Sequence, residues 1–209
     1  MVIVAIMSII MRVEERVVNK HRWSVKNSNV KGVLLITVGV LANILPAYMA
    51  DSLGLPLFLD TIGTIGVAAV GGALPGVLVG MLTNVLCTIF DANAIYFGFV
   101  NAIIAILSTW FVYKYSFKSI KRTACFVAVL GVFAGFVTAI IHWFLLNGTQ
   151  REAIARISDA WQDVIGVPAF WAFLMVNVLL NILDKGMTTL VVGLFSIIIP
   201  EKKVSRILD

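Results

Sequence analysis

Apolar segments long enough to cross a bilayer follow one another almost from end to end of this chain, and that pattern leaves it only a membrane fold. The runs 32–50, 94–113 and 124–146 each approach or exceed the membrane-crossing length, and 166–199 exceeds it well. About 20 apolar residues in a helix cross the hydrocarbon, and a helix satisfies its own backbone N–H and C=O groups there. Composition agrees, with 60% of residues hydrophobic and 13% charged, against roughly 25% charged in soluble domains. The expected class is an all-α membrane protein with six transmembrane helices, organised as one membrane domain over 32–200. A cytoplasmic segment 1–31 precedes that domain and a cytoplasmic tail 201–209 follows it.

The boundaries come from breaks in the apolar pattern. The first span, 32–50, ends near Asp51, with Pro46 bending its last turn. A linker, DSLGLPLFLD, leads to two short apolar runs, 61–73 and 77–90, expected to part at Pro75-Gly76. Residues 148–165 carry Ala153, Ile154, Ile157, Trp161 and Ile165 at helical spacing, which predicts an amphipathic surface helix. The region 166–199 is too long for one crossing. It is expected to break at Asp184-Lys185-Gly186, giving a helix 166–183 on the outer side and a last crossing 184–199. Residues 1–11 would span only about 16 Å as a helix, and they lack the basic n-region and cleavage site of a signal peptide.

Charge fixes the orientation. Basic residues cluster before the first span (Arg12, Arg16, Lys20, His21, Arg22, Lys26, Lys31), in one loop (Lys114, Lys118, Lys121, Arg122) and at the end (Lys202, Lys203, Arg206). Six crossings with both ends inside place all three clusters in the cytoplasm, as the positive-inside rule requires. No aromatic residues interleave with them as a nucleic-acid platform would need. Cys87 and Cys125 fall within spans and read as small buried hydrophobes.

Polar residues at membrane depth point to function, because ionised groups in hydrocarbon are costly. Asp60, Asp91 and Asp184 fall at the expected outer helix ends, with Asn43, Asp51, Asn93, His142, Asn147 and Asn181 near them and Asn84 and Asn101 deeper. Any one of these can be a helix cap; gathered on one side, they read as a ligand cavity. The candidate substrate contacts are Asp60, Thr61, Asn84, Asp91, Asn101, His142, Asn181, Asp184 and Lys185. His142 also reads as a hydrogen-bonded core imidazole, and Trp161 and Trp171 as interfacial anchors. A ladder of small residues, Ala68, Gly72, Gly76 and Gly80, and the pair Gly131 and Gly135 allow close helix approach. They serve either packing within the chain or docking of a partner membrane protein.

No HExxH, GxSxG, Walker or dinucleotide motif occurs. The reading is therefore of a non-enzyme without a cofactor or a metal site, which cannot hydrolyse ATP itself.

The stretch LPLFLDTIGTIGVAAVGGALPGVLVGMLTN (55–84), with NILDKGMTTLVV (181–192), resembles the substrate-binding S components of energy-coupling factor (ECF) transporters. The resemblance covers about 32–200 and implies an S-component-like six-helix fold in a bacterial cell membrane. It also implies capture of a vitamin or related micronutrient from outside, and docking on a transmembrane coupling subunit driven by two ATPases. Lys185 stands where several members carry a lysine at the outer start of the last helix, so the resemblance implies that it contacts the ligand. Many members have an AxxxA motif on the first helix, and 32–50 has no such pair. A membrane ligand-sensing domain that signals to a cytoplasmic partner is the alternative reading.

Overall fold

The computed structural model describes residues 28–115, 117 and 119–198. The expected N-terminal segment (up to residue 27), with six of its seven basic residues, and the tail 201–209 lie outside the described residues. About 85% of the structure is helical, with no strand among the described residues. Among the described residues seven α-helices carry the fold: α1 Ser28–Ser52, α2 Ile62–Gly71, α3 Ala73–Cys87, α4 Gly98–Tyr115, α5 Ile120–Ile140, α6 Glu152–Ile165 and α7 Ala169–Ile198. A 3-10 turn, Ala92–Phe97, leads into α4, and a π turn, Ile141–Leu145, extends α5. Among the described residues four helical stretches are long and apolar enough to cross a membrane: Lys31–Ser52, Ala92–Tyr115, Ile120–Leu145 and Ala169–Phe195.

The two short helices form a hairpin. Its turn is at Gly72, whose φ of 90° is open to glycine and strained for other residues. The expected break at Pro75-Gly76 is therefore corrected. Pro75 is the third residue of α3, within the first turn, where backbone N–H groups have no helical acceptor to lose. Gly76 comes back against Ala68: a Cβ placed on it would lie 2.7 Å from the Ala68 Cβ and 3.1 Å from that of Ala105. That contact brings α2, α3 and α4 together.

The second correction concerns the end of the chain. Residues 169–198 form one unbroken helix of 30 residues, about 45 Å long. Asp184 and Lys185 do not interrupt it, because each finds partners for its charge within the protein. They occupy the helix midpoint and not the outer end of a last crossing.

The helices pack as two groups. In the first, α1 to α4 interlock, with Gly63 so close to α1 that a Cβ there would meet the Gly39 carbonyl oxygen at 1.8 Å. In the second, α5 lies along α7 in the most extensive interface of the molecule. Added Cβ atoms at Gly131 and Gly135 would fall 2.4 Å and 2.5 Å from the Ile182 and Val178 Cα atoms. Ile65, Ile104, Phe111, Phe126, Leu130 and Val192 close the seam between the groups. Large apolar side chains such as Leu34, Leu41, Val129, Phe136, Leu190 and Leu194 face outward, as a lipid solvent demands.

The amphipathic helix forms as expected, over 152–165. Ile154, Ile157 and Trp161 pack with Val176 and Leu180 of α7 and with Phe58, while Trp171 stays exposed. At the opposite end of the bundle Lys114 lies 5.2 Å from the Trp110 ring centre and Arg122 lies 5.3 Å from that of Tyr115. Cys125 is exposed on α5 and Cys87 half-buried, so neither is a core hydrophobe.

Candidate functional site

After α1 the chain does not turn directly into the next helix. Residues 53–61 run without regular helix from the α6 end down between the two helix groups. Pro56, Gly54 and the short run of apolar residues disfavour a helix here. Non-helical backbone is tolerated at membrane depth only where protein or a cavity takes up its polar groups. Here Asp184 takes them up: its Oδ1 accepts from the backbone N–H of Phe58 at 3.0 Å and of Leu59 at 2.6 Å. Two successive N–H groups converging on one oxygen form a small anion-binding concavity. Leu59 has a φ of 49°, a left-handed conformation costing about 1–2 kcal/mol for a non-glycine residue. Asp184 offsets that strain by holding the segment in place.

The segment delivers Asp60 and Thr61 to the middle of α7. Lys185 Nζ donates to Asp184 Oδ2 at 2.6 Å and to Thr61 Oγ1 at 3.1 Å. Asp60 Oδ1 lies 3.6 Å from the same nitrogen, inside ion-pair range but beyond a hydrogen bond. Asp60 Oδ2 accepts from Asn101 Nδ2 of α4 at 3.2 Å. Asp184 and Lys185 are almost fully buried, and Asp60 keeps 24% side-chain exposure, the most accessible charge of the group. Its Oδ1 has no hydrogen-bond donor. Desolvating three charges costs several kcal/mol per ion unless geometry and hydrogen bonds compensate; for Asp60 they do so only in part.

Five of the nine candidate contacts thus meet at one place: Asp60, Thr61, Asn101, Asp184 and Lys185. Asn181 lies one turn before Lys185 on α7, buried, donating to Asn177 O at 2.9 Å. Asn84 is buried on α3 and donates to Gly80 O at 2.9 Å within its own helix. Asp91 is exposed, and its Oδ1 accepts from Asn93 N at 2.9 Å, so it caps the 3-10 turn. His142 sits with its ring centre 4.9 Å from that of Phe97 and with Nδ1 against the Thr149 carbonyl; it is a hydrogen-bonded imidazole with no contact to the cluster among the described residues.

Four relevant residues were not among the candidate contacts, although Asn43 stood among the outer polar groups. Asn177 and Thr188 lie on the same face of α7 as Asn181 and Lys185, fully buried, with Asn177 Oδ1 and Thr188 Oγ1 unpartnered. Their spacing around Lys185 (eight before, three after) is a helical stripe; the assumed break at 184 hid it. Arg151 donates to Leu57 O at 2.9 Å, pairs with Asp51 at 3.2 Å and lies 5.4 Å from the Phe58 ring centre. It fastens the start of α6 over the inserted segment. Asn43 joins α1, α2 and α3 through the Thr64 and Thr83 hydroxyls, at 2.9 Å each.

The expected docking residues Ala68, Gly76, Gly80, Gly131 and Gly135 are buried in contacts within the chain, and Gly72 makes the hairpin turn. Packing is the use to which the structure puts them. The chain matches no protein-family model, and no curated protein or solved structure matches it significantly.

Proposed function

We propose that this protein is a membrane-embedded solute-binding subunit that captures a small micronutrient from outside for uptake. One observation carries the reading: a non-helical segment enters the bundle between two helix groups and brings Asp60 and Thr61 to the buried Asp184–Lys185 pair. Ligand sites favour such seams, where a few fixed polar groups sit among apolar walls. An ionic cluster that only held helices together would be replaced by apolar packing at little or no loss of stability, whereas a binding site needs its charges. In this reading α2 and α3 supply two further crossings, making six. The α6 end faces outward, and the end with Lys114, Lys121 and Arg122 faces the cytoplasm, in keeping with the positive-inside rule.

The resemblance to ECF S components supplies the rest of the proposal. The subunit would dock on a transmembrane coupling subunit served by two ATPases, which provide the energy that this chain has no motif to extract. The test is thermal unfolding of the detergent-purified protein against vitamins, their precursors and nucleobases. A ligand at about 1,000 times its Kd adds about 4 kcal/mol to the folded state. A shift abolished by Lys185→Met together with Asp184→Asn supports the reading. A folded protein that no compound shifts overturns it.

A further inference from the structure

The partners of each charged atom in the buried cluster differ, and the difference bears on what the site takes. Asp184 is saturated: one oxygen holds two backbone N–H groups and the other the Lys185 ammonium. Lys185 is committed as well, to Asp184 and Thr61, both within 3.1 Å. Asp60 is the remainder. Its Oδ2 has the Asn101 amide at 3.2 Å, its Oδ1 has no donor, and Lys185 stands 3.6 Å away. Two carboxylates thus face one ammonium, and the cluster holds one negative charge in excess at the midpoint of α7. One turn along the same face, the fully buried Thr188 hydroxyl is unpartnered.

The surroundings carry the same sign. Leaving aside the cluster itself and the basic loop at the far end, the acids between Asp51 and Lys185 are Asp51, Asp91, Glu152, Asp159 and Asp163, and the bases are Arg151 and Arg156. Five against two leave three negative charges in excess, and a surface of one sign raises the local concentration of the opposite ion. Arg151 and Arg156 are engaged by Asp51 and Glu152.

Resting on the solute-binding reading above, we infer that the ligand is a cation carrying N–H donors, an amine, amidine or protonated nitrogen heterocycle, and that the Asp60 carboxylate is its anchor. Such a ligand supplies the donor Asp60 lacks and cancels the excess charge, and in a low-dielectric site that gain is large. An anion would instead have to draw Lys185 away from a 2.6 Å partner and approach two carboxylates.

The experiment is thermal shift followed by titration calorimetry on the purified full chain. The probes are small metabolites grouped by charge at neutral pH into cations with N–H donors, neutral compounds and anions. Binding confined to the cations is expected, weakened about tenfold or more in Asp60→Asn, with Arg156→Gln unchanged. Asp60→Glu, which keeps the charge, should retain part of the affinity if the variant folds as wild type does. Binding of an anion or a neutral compound, with the cations silent, overturns the cation inference and leaves the solute-binding reading standing. A cation that binds Asp60→Asn as tightly as wild type overturns the anchor. Silence from all three groups overturns both.

Discussion

Two buried polar clusters hold this protein together, and they are built to different standards. Around Asn43 every hydrogen-bonding group is matched. Its Oδ1 accepts from the N–H of Gly63 at 2.7 Å and Thr64 at 3.3 Å, and its Nδ2 donates to two threonine hydroxyls. An amide offers two hydrogens and two lone pairs, and all four are used without any net charge. The Asp60–Asp184–Lys185 cluster is ionic, includes a strained backbone at Leu59, and leaves Asp60 Oδ1 without a donor. A complete neutral network serves the fold. A charged network with one valence open is a cost to the fold, and the proposed ligand would account for its retention.

Breaking each cluster in turn tests that contrast. The largest effect is expected from Lys185→Ala, which strands two carboxylates at the midpoint of α7 and should destabilise by about 3–5 kcal/mol. The double change Asp184→Asn with Lys185→Met removes a charge from each side and should recover most of that loss in thermal unfolding. If the double variant is as unstable as the single one, the cluster is structural and the contrast fails. Next is Asn43→Ala, expected to cost about 2–3 kcal/mol by removing the acceptor of the Gly63 and Thr64 N–H groups and the donor to two threonine hydroxyls. Ligand affinity measured on the folded fraction should not change; a lost affinity would join the two clusters into one site. The smallest effect on stability belongs to Arg151→Ala, at most about 1 kcal/mol because its pair with Asp51 is partly solvated. Its signature is kinetic: faster ligand release in stopped-flow measurements, since the clamp on Leu57 and Phe58 is gone.

Much of this was legible in the residues. Hydropathy located three of the four long helices to within a few residues and found the apolar region of the fourth but divided it, and the helical spacing of Ile154, Ile157 and Trp161 located α6. Asp60, Thr61, Asn101, Asp184 and Lys185 stood out because charged and amide groups are costly at membrane depth. Asp91 and His142 stood out for the same reason, yet their partners are local: Asn93 and Thr149 satisfy them nearby in the chain. Composition cannot distinguish a polar group answered by its neighbours from one answered across the fold.

The same limit explains the two misplaced breaks. Asp184-Lys185-Gly186 reads as a helix end only while the charges are taken to be unpaired, and their partners, Phe58, Leu59 and Thr61, lie about 125 residues earlier. Pro75-Gly76 reads as a turn by residue type, whereas the chain turned at Gly72, where the backbone needed a positive φ.

The sequence by itself determined the solvent and the all-helical class, because burial of apolar surface and backbone satisfaction in lipid depend on residue type and run length. It also determined which residues were too polar for their depth. Only the tertiary structure decided which of those were answered and which were left open. Pairing in a low-dielectric interior depends on distances of a few ångströms between segments far apart in the chain, and those distances exist only once α7 and the inserted segment 53–61 lie against each other.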